Sequence, residues 1–438
     1  MREEMPPLAV LQASTNPFLK VRGPSLLDRT HKFSEEVWEP RLSHDVLPLR
    51  RVVHGEVSPQ AEVSSLQGRT WHGTAFSMQD YLGLSREASV REAVQDALHR
   101  YGPHSGSSPM LAGVTPQSAE LEAALAELTG MEHVVLYPTG WGAGFGAIAG
   151  LVRPHDHIVL DERAHSCLNT GARAATPQVS LAAHLDNGAV REQLAQIRAQ
   201  DTSNAVLVVT EGLFSMDADA PQLAELQELC HEYGATLLVD VAHDLGALGP
   251  GGTGQAGLQQ MHGRLDLVMG SFSKCFATNG GFVATRSRAV AQYLRVFTSS
   301  HVFSSALSPL QAAAALQCAR IIGSPDGDRR RADLARASER LRGALSGRGR
   351  TVRGVPSAIV PVDAGSQEVG YLACRLAEAQ GLVLALAEYP AVARGTARFR
   401  MQLMADHPLG ELDTAAAVLD ESLTRAESLV GRLKGAAV

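Results

Sequence analysis

The sequence predicts an α/β protein built on a mainly parallel sheet. From about residue 70 to 310, short apolar runs alternate with helical segments, a pattern typical of a parallel sheet covered by helices. Polar side chains with catalytic potential follow several of these runs, and ligands bind at the carboxyl edge of such sheets. The predicted strands are Val134–Leu136, Ile158–Leu160, Ala205–Thr210, Thr236–Asp240, Leu265–Met269 and Gly281–Thr285.

The chain is predicted to divide into three parts. Residues 1–70, rich in proline, serine and charge, form an N-terminal arm with one helix near Ser25 to Val37, and we expect the arm to pack on a partner subunit. Residues 71–310 form a large cofactor domain, and residues 311–438 a linker helix and a small α+β domain. The long helix is predicted from Pro309 through Ile322. The small domain has predicted strands Ala358–Val362, Leu382–Leu386 and Phe399–Leu403, and helices Gln367–Gln380 and Leu412–Leu433.

Composition excludes several classes of function. The 438 residues are 45% hydrophobic and 19% charged, which suits a protein with a large core. A net charge of -7, with both signs mixed along the chain, argues against nucleic acid or an anionic membrane as the main partner. The first residues lack an apolar signal segment and no apolar stretch is long enough to span a membrane, so we expect a cytoplasmic protein. The five cysteines show no metal-type pairing, and no metal site is predicted.

Lys274 is predicted to be a catalytic lysine. It ends the segment Ser271-Phe272-Ser273-Lys274, just past an apolar run. A lysine next to a buried strand suits imine chemistry, because its amine must be partly deprotonated to attack an aldehyde. Asp240 ends another apolar run, and a carboxylate there can keep a pyridine nitrogen protonated. Together these residues predict pyridoxal 5'-phosphate (PLP) as the cofactor.

A phosphate site is predicted where a helix begins. The segment Thr139-Gly140-Trp141-Gly142 follows a strand and opens a helix, so its backbone N–H groups and the helix dipole can receive a phosphate. The hydroxyl of Ser271, and that of Ser304 from a neighbouring subunit, complete the predicted phosphate cup.

Three more side chains are predicted around the cofactor ring. His165, after the strand that ends near Asp161, is placed to lie flat on the pyridine. His243, three residues past Asp240, is placed to hydrogen-bond the ring phenolate. Ser215 is a further candidate for a phenolate or substrate contact.

From about Tyr81 to His407 the chain resembles the α-oxoamine synthases, a family of fold-type I PLP enzymes. The matching motifs are Tyr81-Leu82-Gly83-Leu84, the run from Val209 to Asp217, Ala242-His243 with Gly246, Ser271-Phe272-Ser273-Lys274, Phe303-Ser304-Ser305 and the tail from Arg394 to Arg400. The resemblance implies a fold-type I transferase with a seven-stranded type of sheet and a smaller C-terminal domain.

The resemblance also implies a reaction and roles. The reaction is a decarboxylating condensation of an amino acid with an acyl thioester, giving an α-amino ketone. By position, Lys274 is the Schiff-base lysine, Asp240 pairs with the ring nitrogen, His165 stacks, His243 and Ser215 meet the phenolate side, and Arg400 binds the amino-acid carboxylate. A guanidinium fork suits that carboxylate because it grips both oxygens. A homodimer with shared active sites is implied as well.

Several positions depart from the family pattern. Asp80 stands where the family has asparagine, Ser107-Ser108-Pro109 where it has Gly-Ser-Arg, and Ser118 where it has histidine. The segments around Asp244 and Cys275 also differ. The lost basic residues near the acyl entrance leave a carrier-protein thioester, or an unusual acyl chain, as an alternative to an ordinary acyl-CoA.

Two other functions stay open on the sequence. The same lysine and aspartate serve other fold-type I reactions, such as those of aminotransferases and carbon–carbon lyases. A catalytically silent scaffold subunit is the alternative from a different class, and the presence of Lys274, Asp240, His165 and Arg400 argues against it.

Overall fold

The protein folds into two compact units. The computed structural model describes residues 5–15, 17–18, 22–23 and 25–436. The larger unit comprises residues 79–215 and 219–334, and the smaller unit comprises the described residues up to 78, residues 216–218, and those from 335 onwards. The sequence boundaries near 70 and 310 are close to these but not identical. Helix Pro309–Ile322, expected to be a linker, packs against helices Ala88–Tyr101 and Pro116–Thr129 within the larger unit.

The strands follow one another in this order: β1 (Val52–His54), β2 (Gln60–Ser64), β3 (Thr70–Ala75), β4 (His133–Tyr137), β5 (His157–Asp161), β6 (Val179–Ala182), β7 (Val206–Glu211), β8 (Thr236–Asp240), β9 (Leu267–Ser271), β10 (Gly281–Thr285), β11 (Ile359–Gly365), β12 (Leu382–Val383), β13 (Leu386–Ala387) and β14 (Ala397–Gln402). The six strands predicted in the large domain all form, within two residues of their predicted ends.

The larger unit is built on a seven-stranded sheet with the order β4-β10-β9-β8-β7-β5-β6. Strands β9, β8, β7, β5 and β6 pair in parallel, while β10 runs antiparallel to both β4 and β9. The predicted α/β fold with a mainly parallel sheet is therefore confirmed. Strand β6 was not predicted, because this short edge strand is only partly buried and lacks the continuous apolar run of its neighbours.

Helices of the larger unit connect these strands. Their bounds are Ala88–Tyr101, Pro116–Thr129, Gly140–Leu151, Ser166–Ala175, Asn187–Gln200, Leu223–Glu232, Gly254–Leu258, Arg288–Phe297, Ser299–Val302, Pro309–Ile322 and Pro325–Ser346, the last of which continues into the smaller unit; Leu84–Arg86 and Pro250–Gly252 are 3₁₀ turns. Helices Gly140–Leu151 and Ser166–Ala175 pack on each other and contribute Ala143, Ala147 and Leu168 to a core with strand residues. Side chains cap the N-termini of several of these helices, and Ser308 and Gln311 form a full capping box at the start of helix Pro309–Ile322.

The smaller unit contains two sheets, with the orders β1-β2-β3-β12 and β11-β14-β13. Its helices are Leu8–Gln12, Leu26–Phe33, Glu39–Ser43, Gln367–Glu378 and Leu409–Ala436, with a π turn at Ser34–Trp38. The predicted single strand Leu382–Leu386 is divided: β12 pairs with β3 and β13 pairs with β14. The chain changes sheets within a few residues, and no local pattern records such a change.

The predicted N-terminal arm contains more structure than its sequence indicated. Strands β1 and β2 lie within residues 1–70 and β3 begins at Thr70. Glu378 of the C-terminal part receives hydrogen bonds from Arg51 and Arg69 at 2.7–2.8 Å. The Glu378 side chain is 1% exposed. This segment is thus attached to the smaller unit by a buried charge cluster. Across the described residues, we find no helix with both the length and the apolar character that crossing a bilayer requires.

Candidate active site

Chemically active side chains meet at the carboxyl edge of the large sheet. Strand β7 ends at Glu211, β8 at Asp240 and β9 at Ser271. Glu211 and Asp240 are directly paired neighbours on adjacent parallel strands. Because parallel strands all end on the same side, the turns that follow them bring His165, His243 and Lys274 to this edge.

A cavity of about 250 Å³ opens at this edge. Its lining contains the predicted residues Gly140, Trp141, His165, Asp240, His243, Ser271 and Lys274, together with Thr139, Cys167, Glu211, Ala242, Met269, Ser273, Asn279 and Gly280. The structure therefore brings most of the predicted site together in the larger unit.

The turn that carries Lys274 is closed by local hydrogen bonds. The N–H of Phe272 donates to the carbonyl of Gly280 at 2.9 Å, and that of Thr278 donates back to Phe272 at 3.1 Å. Ser271 and Ser273 share a hydrogen bond between their hydroxyls at 2.9 Å. These bonds fix the lysine backbone at the rim of the cavity, and the side chain of Lys274 is half-buried there.

Two buried acids dominate the electrostatics of the cavity. Glu211 is 3% exposed and Asp240 is 6% exposed. Burial raises the pKa of Asp240, and the charge of Lys274 opposes this rise. Burial and the charge of Asp240 together raise the pKa of Glu211 well above its ordinary value. A cationic group bound beside Asp240 would therefore be strongly favoured.

Hydrogen bonds from the backbone hold these acids in place. The N–H of Ala242 donates to Asp240 at 2.9 Å, and the N–H of His165 donates to Glu211 at 2.6 Å. The sequence places Glu211 at the end of a buried strand, as it does Asp240, but predicted no role for it in the site.

His243 is buried and makes a hydrogen bond through Nδ1 to the hydroxyl of Tyr81 at 2.8 Å. Tyr81 is fully buried. The sequence indicated it only as the first residue of the motif Tyr81-Leu82-Gly83-Leu84, with no role of its own. Of this pair, His243 lines the cavity beside the turn that begins with Asp240, and the phenol of Tyr81 holds its imidazole.

At the predicted phosphate site, the backbone of Gly140 lies very close to the side chain of Ser271. Thr139 caps helix Gly140–Leu151 by accepting the N–H of Gly142 at 2.9 Å. A Cβ atom at Gly140 would lie 2.2 Å from the Ser271 hydroxyl oxygen, so only glycine lets the helix start come this near. A helix N-terminus beside a serine hydroxyl suits a phosphate. Together with Asp240 and Lys274 in the same cavity, this arrangement fits PLP.

Among the described residues, three predicted members of the site do not line this cavity: Ser215, Ser304 and Arg400. Ser215 lies past β7 and Ser304 follows helix Ser299–Val302; both side chains are half-buried. Arg400 lies on β14 in the smaller unit, where its N–H donates to the carbonyl of Ala385 at 2.9 Å. Within the described residues, the guanidinium group of Arg400 has no hydrogen bond or ion pair.

The departures from the family pattern are accommodated locally. The carboxylate of Asp80 accepts hydrogen bonds from the backbone N–H groups of Leu84 and Ser85, both at 2.9 Å, and so caps the turn after Tyr81. The hydroxyl of Ser118 bonds to that of Thr115 at 3.0 Å at a helix start. Burial raises the pKa of Asp244, which is fully buried, to about 7.

The sequence matches the family described as aminotransferase class I and II over residues 72–419. The chain belongs to this family. Among its relatives in the family are an 8-amino-7-oxononanoate synthase from Methylobacterium sp. (strain 4-46) and a serine palmitoyltransferase from Sphingobacterium spiritivorum.

The similarity to these family members is extensive. The first is 37% identical over 348 residues, 79% of this chain and 86% of that protein. The second is 32% identical over 353 residues, 80% of this chain and 87% of that protein. A variant of serine palmitoyltransferase from S. paucimobilis, solved with a bound PLP–myriocin aldimine, has a TM-score of 0.85 at 26% identity; the match covers 92% of this chain and 100% of that one. The predicted membership of the α-oxoamine synthases, a fold-type I group, and the predicted cofactor PLP are confirmed.

His184 lies between two acids, Asp161 at the end of β5 and Asp219 in the segment after β7, and connects these two segments. His184 makes hydrogen bonds through Nδ1 to Asp161 at 2.9 Å and through Nε2 to Asp219 at 3.1 Å. Its ring meets that of Phe214 edge-on, with centroids 4.5 Å apart. Burial lowers the pKa of His184, but the hydrogen bonds and charges of Asp161 and Asp219 outweigh it and raise the pKa to about 9.

This pKa predicts how the stability of the protein depends on pH. A histidine whose pKa is raised from 6.5 to about 9 stabilises the fold fully below pH 6.5 and loses that effect as the pH rises to 9. We expect His184→Asn to lower the free energy of unfolding more at pH 6 than at pH 9.5, in urea titrations at both values. The control His231→Asn removes a histidine that is 59% exposed and pairs with Asp266, and should have a smaller effect. An equal loss at both pH values would contradict the assignment.

Proposed function

We propose that the protein catalyses a PLP-dependent decarboxylating condensation of an α-amino acid with an acyl thioester, releasing carbon dioxide and a thiol and giving an α-amino ketone. The observation that carries this proposal is the cavity in which Lys274, Asp240 and His165 meet the start of helix Gly140–Leu151. The relatives named as 8-amino-7-oxononanoate synthase and serine palmitoyltransferase support the same reaction class.

The residues of the cavity have separate tasks in this proposal. When bound, PLP supplies an aldehyde for imine formation and a ring that withdraws electrons from the amino-acid Cα. Asp240 holds the proton on the ring nitrogen, since its burial favours a cationic partner. His165 packs against the ring, and the helix start with Ser271 binds the phosphate. Lys274 holds the cofactor and then accepts the Cα proton once the substrate amine has displaced it.

Three further contacts complete the proposed site. His243, held by Tyr81, and Ser215 hydrogen-bond the phenolate side of the ring. Arg400 binds the substrate carboxylate, and its unpaired guanidinium group in the described structure supports this role. A bidentate contact fixes the orientation of the Cα bonds, so Arg400 acts on the amino acid and not on the thioester.

The acyl donor is either an acyl-CoA or an acyl carrier protein. Two basic side chains of the family pattern are missing here. The family has Gly-Ser-Arg where this chain has Ser107-Ser108-Pro109, and it has a histidine near the position of Ser118. Parallel assays with acyl-CoA and with an acyl carrier protein would identify the donor. The cytoplasm is our proposed location, and the five buried cysteines without disulfides suit a reducing compartment.

Lys274→Ala should abolish turnover and the covalent attachment of PLP. Reduction with borohydride followed by peptide mass spectrometry should find the cofactor on Lys274 in the wild-type protein and on no lysine in the variant. Lys434→Ala, which removes an exposed lysine of the smaller unit, is the control and should keep full activity. Normal turnover by Lys274→Ala would refute the proposal. In the wild-type protein, a keto-acid acceptor requirement with no thiol released would instead indicate an aminotransferase.

Arg400→Ala should raise KM for the amino acid by about 10- to 150-fold, the loss expected for a charged hydrogen bond of ~1.5–3 kcal/mol. KM for the thioester should change little. The control Arg394→Ala removes an exposed arginine from the same tail, where it lies over the ring of Tyr389. Steady-state kinetics with each substrate varied would measure both effects. Equal increases in the two KM values would remove Arg400 from its carboxylate role.

We infer that two copies of the chain form a homodimer through an exposed apolar surface. Phe303 is 87% exposed and Leu111 is 81% exposed. Their segments are joined, because the N–H of Ala306 donates to the carbonyl of Ser107 at 3.0 Å. Large apolar side chains grouped in this way are typical of a covered surface. Ser304 adjoins Phe303, which supports a role for Ser304 at the phosphate of the partner subunit.

The double variant Leu111→Asp/Phe303→Asp should shift the protein toward monomers, because it puts charge into the proposed interface. Sedimentation equilibrium would measure the change in dimer dissociation constant. Leu181→Asp is the matched control, since Leu181 is 46% exposed on the edge strand β6. A dissociation constant unchanged in the double variant would place the interface elsewhere.

A further inference from the structure

Cys167 lies in the cavity wall beside the histidine that is proposed to stack on the cofactor ring. The Sγ atom of Cys167 is 3.0 Å from Nδ1 of His165. The backbone N–H of Cys167 also donates to Nδ1, at 3.3 Å, so His165 caps helix Ser166–Ala175 with its own ring. Both groups of Cys167 thus converge on one nitrogen of the imidazole.

These contacts determine which atoms carry hydrogen. A ring nitrogen that accepts an N–H must present its lone pair, so Nδ1 of His165 is unprotonated. Burial and the charges of Asp240 and Glu211 raise the pKa of the Cys167 thiol far above its ordinary value. The thiol is therefore neutral and has a hydrogen to donate. With Nδ1 as the acceptor, the thiol can donate its hydrogen to it, and the imidazole proton is assigned to Nε2.

Packing holds the thiol where this bond forms. Cys167 is 1% exposed, and its Sγ occupies the space beside Gly144 of helix Gly140–Leu151. A Cβ atom at position 144 would lie 2.5 Å from that sulfur. The helix that begins at the phosphate end of the cavity therefore also fixes the group that orients His165.

We propose that Cys167 is a positioning residue for His165: its backbone N–H selects the tautomer, and its thiol holds the ring plane of the imidazole at the cofactor cavity. This inference rests on the proposed function only in that His165 packs against the PLP ring. The backbone of His165 is fixed by Glu211 and its ring by Cys167, so neither end turns freely.

The test compares Cys167→Ala, which removes the donor, with Cys167→Ser, which keeps a hydroxyl donor at the same place. In the apo protein, ¹⁵N spectra of labelled histidine, assigned with His165→Gln, should show a single Nε2–H tautomer in the wild type and in Cys167→Ser. Cys167→Ala keeps the backbone N–H and therefore the tautomer, but its His165 resonances should broaden and shift because the thiol no longer holds the ring plane. The dissociation constant of PLP should rise on the order of tenfold in Cys167→Ala and stay near the wild-type value in Cys167→Ser.

Kinetics and a fold control complete the design. In Cys167→Ala, kcat should fall while KM for both substrates stays constant, because the thiol contacts neither. Cys230→Ala removes a fully buried cysteine that is not among the residues lining the cavity, and controls for loss of a buried thiol. Unchanged histidine spectra and PLP affinity in Cys167→Ala, or equal defects in the Ala and Ser variants, would overturn the role. The spectra and the PLP affinity need no substrate, so failure of the condensation assay alone would refute only the proposed function.

Discussion

Two acids buried side by side at the carboxyl edge of the sheet set the conditions for the rest of the site. Glu211 and Asp240 are paired in register on β7 and β8, and neither has much access to water. Two carboxylates in such a place cannot both ionise without nearby cations or hydrogen-bond donors. Lys274 supplies a charge, and the N–H groups of His165 and Ala242 supply bonds. The energetic cost of burying Asp240 is also what makes it a strong partner for a protonated pyridine.

Close backbone approaches explain how these groups fit around one small cavity. Gly140 lets a helix start reach Ser271, and Gly144 leaves space for the sulfur of Cys167. Gly212, next to Glu211, lies against the carboxyl group of Asp244 in the same way. In each case a side chain would occupy the space of a polar neighbour. These glycines therefore allow functional side chains to lie close to the backbone of a neighbouring segment.

The positions that depart from the family pattern leave the cofactor end intact. Asp80 still caps its turn, and the Ser118 hydroxyl is bonded to Thr115. His165, Lys274, Glu211 and Asp240 all line the cavity. The departures at Ser107-Ser108-Pro109 and Ser118 lie in the segment proposed to shape the acyl entrance, and they fit a change of acyl donor, whereas those at Asp244 and Cys275 directly follow His243 and Lys274.

The sequence by itself determined most of the large sheet, the cofactor and most of the residues that meet at the cavity. Long apolar runs that end in Asp240 or lead to Lys274 identify buried parallel strands and their carboxyl ends, because such strands alternate with helices and share one edge. Strands β1 and β2 escaped this reasoning, since they are short and β1 is exposed. Strands β12 and β13 were predicted as one strand, because no local pattern shows that the chain changes sheets between them. Only the tertiary structure decided that Tyr81 bonds His243, that Glu211 holds the backbone of His165 and that Cys167 meets its ring beside Gly144. These contacts arise from packing between separate strands and helices, and packing distances are not written in the spacing of residues along one segment.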